Sequence, residues 1–190
     1  MTRQEFLQPC LEGRTLGLRP LCPADFDALY AVAADPLIWE QHPEPLRYRR
    51  DVFARFFADA LASRGALLVT EKSSECAIGT SRYYDLDAAW AEVAIGYTFL
   101  ARSHWGGPSN REMKTLMLDH AFGRVRTVWF HVGPANFRSR RALEKIGARL
   151  SHAEPRSVGG SDMQDWLCYR LDRDTYAAGL AAQVVTDGQA

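Results

Sequence analysis

The stretch "ARSHWGGPSNREMK", residues 101 to 114, sets two glycines and a proline between what reads as the end of a strand and the start of a helix. Glycine clears side chains from a backbone, and a helix start leaves N–H groups unpaired at the positive end of a dipole, so this stretch can hold a phosphate group. Gly106, Gly107, Ser109 and Asn110 would offer amides, while His104, Arg111, Arg102 and Lys114 would offer positive charge. Trp105 is either a lid on that loop or part of the core. No GKS or GKT follows and GxGxxG is absent, so neither a P-loop nor a dinucleotide fingerprint is present. A tight turn that needs positive φ would use the same glycines, and each basic side chain could be a solvated surface charge.

A second stretch begins at Asn136. "NFRSRRALEKIGA" reads as an N-cap, a helix with Ser139, Ala142, Leu143 and Ile146 along one face, and a glycine stop at Gly147. With an apolar strand between them, the two stretches together resemble the GNAT superfamily of acyl-CoA-dependent N-acetyltransferases, and within it the RimJ/RimL-like branch of ribosomal-protein alanine acetyltransferases. There the first pattern runs "EIGYxL…xxWGxGYxxEA" and the second "NxxSxRxLEKxGF"; here they are "AIGYTFLARSHWGGPSNREM" and "NFRSRRALEKIGA". The resemblance spans about Thr15 to Tyr176. It implies a mixed, mostly antiparallel sheet of six to seven strands flanked by about four helices, and direct attack of an amine on acetyl-CoA without a covalent enzyme intermediate. It also implies that acetyl-CoA meets Tyr97, Phe99, Leu100, His104, Trp105, Gly106, Gly107, Ser109, Asn110, Arg111, Asn136 and Arg138.

This chain departs from the pattern in places. Pro108 replaces the second loop glycine and removes an N–H, Ala94 stands where relatives often carry Glu, and Leu143 stands where many carry a tyrosine acid.

The reaction needs three things. An alkyl ammonium must lose a proton, the oxyanion needs a donor, and the leaving thiolate benefits from an acid. Glu92 shares a strand face with position 94 and is the candidate base, directly or through water; an exposed strand-end carboxylate is the plain alternative. Backbone N–H groups around Tyr97 to Leu100 are the expected oxyanion donors. Ser139 is the candidate acid, or simply an N3 residue of a helix. Asn136 can cap the helix with its oxygen and still offer two donors to the pantetheine arm.

The acceptor is open among peptide α-amine, polyamine, aminoglycoside and small metabolite. "LIWEQHPEPLRYRRD" and "SHAEPRSVGGSDMQDW" are expected to frame its channel, with Trp39, His42, Tyr83 and Trp90 as candidate walls. A catalytically degenerate CoA-binding or scaffold protein is the competing reading. A nucleic-acid role for the "RSRR" helix is disfavoured, because 23 basic side chains are matched by 23 acidic ones.

The elements that must position these residues follow an α/β or α+β order: strand, two helices, three strands, helix, strand, helix, strands. Pro23 opens one helix, Phe53, Phe56, Phe57 and Ala60 stripe a second, and "ALLVTE" with "CAIGTSRYY" forms a hairpin. One domain over residues 1 to 176 is expected, followed by a loosely held tail from 177 to 190. Cys10, Cys22, Cys76 and Cys168 are scattered without ligand spacing, which indicates neither disulfides nor a metal site. The opening residues lack the apolar core of a signal peptide and no apolar run of eighteen residues exists. A cytoplasmic location and no membrane partner are expected, and a homodimer is left open.

Overall fold

The computed structural model describes residues 2–156 and 163–187. One sheet of eight strands runs in the order β1-β2-β3-β4-β5-β6-β8-β7. The strands are β1 Leu11–Glu12, β2 Leu16–Pro20, β3 Ala66–Glu71, β4 Ala77–Asp87, β5 Glu92–Leu100, β6 Thr127–Val132, β7 Arg149–Arg156 and β8 Gln164–Asp172. Six helices accompany them among the described residues: α1 Arg3–Leu7, α2 Phe26–Ala33, α3 Arg50–Ala62, α4 Ser109–Phe122, α5 Phe137–Lys145 and α6 Arg173–Asp187.

The class is the expected one, with more elements than the sequence marks. β1 has two residues and α1 five, too short to show a period. β7, "RLSHAEPR", is a largely exposed edge strand without apolar alternation. The stretch from Ala177 that reads as a tail begins inside α6, and residues 188–190 of that tail lie outside the described residues.

Each neighbouring pair of strands is antiparallel except β5 and β6. Parallel neighbours need a crossover, which α4 provides. That parallel contact is brief: Glu92 pairs with Thr127, Val93 with Val128 and Ala94 with Trp129, and the two strands then diverge. The sheet therefore opens as a V from its middle.

The two faces of the sheet are covered differently. Leu16, Leu67, Val93, Ile95, Val128 and Phe130 pack against Met113, Met117, Leu118 and Ala121 of α4 and Phe6 of α1. On the other face Leu68 and Phe99 meet Leu29 and Ala33 of α2 and Phe53, Phe56, Phe57 and Ala60 of α3. The helical stripes read from sequence are the ones buried here.

α4 is pinned at its first turn. The Glu112 carboxylate accepts from the amides of Thr15 (2.7 Å) and Leu16 (3.2 Å) and from the Thr15 hydroxyl. A Cβ on Gly13 would stand 2.3 Å from Glu112 Oε1, so the β1–β2 turn needs glycine at that point. This tie sets the angle at which the start of α4 faces the V.

Candidate active site

The V holds the main cleft. On the α4 side it is lined by Leu100, Trp105, Gly106, Asn110 and Lys114, and across from them by Asn136, Ser139, Ala142, Leu143 and Ile146 of α5 and its N-cap. Gly106 has φ +70 and open space where a Cβ would stand, which the tight-turn and phosphate-loop readings share. Pro108 precedes the first helical residue, Ser109, and the first intrahelical bond runs from Glu112 N–H to the Pro108 carbonyl. The amides before Glu112 thus face outward, available to an anion. Trp105 donates to the Leu100 carbonyl (3.0 Å) and carries the Arg138 guanidinium 3.9 Å above its ring centroid. It lines the cleft and packs against both core clusters.

β5 is irregular where the V opens. Its register against β4 shifts between Thr80 and Arg82, and Tyr97 sits at φ +51. A non-glycine residue in that region costs roughly 1–3 kcal/mol, and such strain clusters at working sites. The bulge lays the Tyr97 ring 4.1 Å from the Arg82 guanidinium and 5.1 Å from the Tyr84 ring.

Lys114 turns inward from α4. Its Nζ donates to Thr98 Oγ1 at 3.0 Å and lies 5.6 Å from the Phe130 centroid. Burial alone pushes this ammonium down to about 7.

The other mouth of the cleft is lined by Ile38, Trp39, His42, Pro43 and Arg47 from the α2–α3 connection, and by Tyr84, His131, Arg156 and Trp166 from the sheet. Tyr84 Oη and His131 Nδ1 are 2.7 Å apart, and His131 Nε2 is 3.9 Å from Glu154. Burial first, then Arg156, pushes His131 down to about 4, so the ring is neutral. Burial likewise holds the Tyr84 hydroxyl well above its usual range, so it stays a donor. The arrangement that suits both has Tyr84 donating to Nδ1 and Nε2–H facing Glu154. Arg156 is committed to Glu154 (2.5 Å) and Asp85 (3.2 Å). Among the described residues no Asp or Glu lines the cleft, while Arg47, Lys114, Arg138 and Arg156 do.

Of the expected site residues, the cleft brings together Tyr97, Phe99, Leu100, Trp105, Gly106, Asn110, Asn136, Arg138 and Ser139. Asn136 Oδ1 accepts the Ser139 amide (3.1 Å), so the cap is real and its amide donors stay available. Gly107, Ser109 and Arg111 lie beside the rim without lining it. His104 turns away toward Glu71, 3.5 Å from it.

Glu92, the expected base, is not in the cleft. It sits where β5 and β6 are still paired, and its carboxylate accepts from Trp129 Nε1 at 2.8 Å. Face parity was right, but four residues of strand put it about 13 Å from Gly96 at roughly 3.3 Å per residue.

Tyr83 is no channel wall either. It is fully buried against α4 and donates to the Met117 carbonyl at 2.6 Å, whereas its neighbour Tyr84 faces the cleft. Trp90 is 71% exposed in the β4–β5 connection. Trp39 and His42 do line the cleft, and of the second expected framing segment residues 157–162 lie outside the described residues.

His131, Glu154 and Cys168 offer ligand atoms within 4.8 Å of one another. Burial pushes the thiol up to about 11, and Glu154 is already paired with Arg156, so both groups would have to give up their present state to hold an ion.

The fold has many solved counterparts. A GCN5-related N-acetyltransferase from Brucella melitensis is 22% identical with a TM-score of 0.76, over 92% of this chain and 85% of that one. RimJ from Mycobacterium smegmatis, in complex with CoA-disulfide, is 19% identical with a TM-score of 0.68, over 88% of each chain. Spermidine N-acetyltransferase from Vibrio cholerae, in complex with CoA and spermine, is 16% identical with a TM-score of 0.65, over 86% and 98%. Residues 15–149 match the model of the acetyltransferase (GNAT) domain. That stretch carries the glycine loop, the opening V and the Asn136 cap, and the chain belongs to the GNAT acetyltransferase family.

Proposed function

We propose that this chain moves an acetyl group from acetyl-CoA to a primary amine by direct attack, and that it sides with the RimJ/RimL-like branch on its "NFRSRRALEKIGA" helix. One observation carries the reading: a single cleft is lined by the Gly106 loop and the start of α4 and also, past the end of the β5–β6 pairing, by Trp39 and Phe99 of the cluster on the opposite sheet face. The donor enters at one end and the amine at the other.

The residues fit an acyl-CoA. The open backbone at Gly106, the amides at the start of α4 and the free donors of Asn136 suit a pyrophosphate followed by an amide-bearing arm, and Ala142, Leu143 and Ile146 give that arm an apolar wall. Backbone N–H groups at the bulge around Tyr97 are the oxyanion donors in this reading.

Among the described residues a carboxylate base is absent from the lining, and the cleft offers another route. Arg47, Arg138 and Arg156 are fixed cations beside the path of the amine, and like charge disfavours an ammonium. Such an acceptor binds as its free base, which is the nucleophile, so solvent takes the proton before attack. The departing sulfur has two neighbours that can donate, the Ser139 hydroxyl and the Lys114 ammonium. A thiol titrates near 8.5 and Lys114 at about 7, so the lysine gives its proton to the thiolate downhill, and the proton that the acylated nitrogen sheds restores the ammonium.

The test is turnover. Purified protein with acetyl-CoA and a panel of primary amines should release thiol and yield acetylated amine by mass spectrometry. CoA binding without turnover on any member would instead establish a non-catalytic CoA-binding protein.

A further inference from the structure

At the acceptor end of the cleft and just behind its wall lie donors that no described residue satisfies. Arg47 is 4% exposed and Arg82 6%, and they flank the Phe56 ring with guanidinium carbons 4.7 and 5.8 Å from its centroid. Arg156 has Glu154 and Asp85, and Arg138 has the Ile38 carbonyl. Arg47 and Arg82 have no ion pair among the described residues, although Glu44 and Asp59 lie near enough to be felt. Arg82 Nε and Nη2 are buried without a hydrogen-bond partner, as is Trp166 Nε1.

The contact of Arg47 with His42 is a conflict of donors. Arg47 Nη1 stands 3.0 Å from His42 Nε2, while His42 Nδ1 already accepts the Glu44 amide at 2.9 Å. Burial, with Arg47 and Arg138 adding to it, keeps this imidazole neutral at physiological pH. A neutral ring with Nδ1 used as acceptor carries its one proton on Nε2. Two N–H groups therefore face each other at the cleft wall, and an unmet buried charge is costly. Among the described residues, what this end of the cleft lacks is an acceptor with negative charge.

We propose that the amine substrate carries a carboxylate, which Arg47 and His42 bind while Arg82 behind them adds positive charge. One carboxylate takes both facing N–H groups as donors and removes the conflict. A polyamine would instead bring a second ammonium against two unpaired arginines, which disfavours that class. This inference rests on the acetyltransferase reading above and deepens it.

The experiment uses matched acceptors. Phenylalanine against phenylalaninamide places the carboxylate beside the amine; phenylalanyl-aspartate amide against its asparagine analogue places it one residue away. Rates are compared per unprotonated amine. The carboxylate member should win by ten-fold or more in at least one pair, and which pair shows it tells a free amino acid from an acidic peptide. Arg47→Met should collapse that ratio toward one, with Arg47→Lys recovering part of it, and Arg82→Met serves where Arg47→Met fails to fold. Equal use of both members in both pairs, or a proportional loss on both members in the variant, overturns the inference. If no amine is acetylated, the acetyltransferase reading falls, and calorimetric titration of the N-acetylated forms of the same four compounds still decides this one. Tight binding only of the carboxylate forms, lost in Arg47→Met, supports it; indifferent binding, or none, overturns it.

Discussion

A lysine whose surroundings are one hydroxyl at 3.0 Å and an aromatic ring gives up its proton near neutrality, because no solvent compensates its charge. If Lys114 is the acid for the leaving thiolate, kcat should fall above about pH 7 as that proton is lost. Lys114→Met should lower kcat by about ten- to a hundred-fold and abolish that descending limb, with little change in the KM for acetyl-CoA. An unchanged limb in the variant would assign it to another titrating group and leave the thiolate's proton to the Ser139 hydroxyl or to water. Glu92→Gln should alter turnover less than about two-fold, since the amide oxygen can still accept from Trp129 and the site is remote. At this scale sequence could name residue types but not their distance. Glu92 had the right parity at the wrong end of the strand, and Lys114 read as a phosphate-loop cation although its spacing one residue after Met113 puts it on the buried side of α4. Arg82 stands in its strand beside Ser81, Tyr83 and Tyr84, and Arg47 in a polar loop, so neither stretch announces a buried charge; Arg47 is covered by Trp39, His42 and Phe56, which only the folded loop brings over it.

The elements were more legible, because each is set by its own residues. "ALLVTE" is β3 at its observed bounds, "CAIGTSRYY" starts within a residue of β4, and Asn136 caps α5 where the sequence places it. The mutual splay of β5 and β6 was not legible, since three paired residues followed by divergence is a property of two strands and a crossover helix together. The loop between β5 and α4 carries its own test. With φ +70 and no atom within 4 Å of the place a Cβ would take, Gly106→Val would clash with nothing and strain only the backbone. The variant should keep its melting temperature within a few degrees while CoA binding weakens by about ten-fold or more, as measured by calorimetric titration. Unchanged affinity would move the anion site away from this loop.

Across the whole molecule, 23 basic side chains balance 23 acidic ones, and that balance hid the polarity of the cleft. Among the described residues, charge is distributed so that cations line the interior groove while carboxylates stay outside its lining. A zero sum argued against a polyanion partner and was silent about a buried anion site. Lys114 makes the imbalance measurable in stability. Its proton leaves the folded chain at about 7 and an unfolded chain near 10.5, so between those values the unfolded state binds more protons and stability rises with pH. The melting temperature of the parent relative to Lys114→Met should therefore climb from pH 7 to pH 10. Parallel profiles would show that the lysine keeps its charge in the fold.

The brief contact between β5 and β6 also leaves an interior ladder unfinished. Beyond Ala94 and Trp129 the edges that these strands turn toward each other have no strand between them, although both strands are paired on their outer sides. They behave as edge strands placed in the middle of a sheet, with main-chain groups ready for an extended guest. Amide hydrogen exchange should record this directly. Without a guest, amides of residues 95–98 that point into the gap should exchange faster than their neighbours bonded to β4, and CoA should slow the first set while leaving the second unchanged.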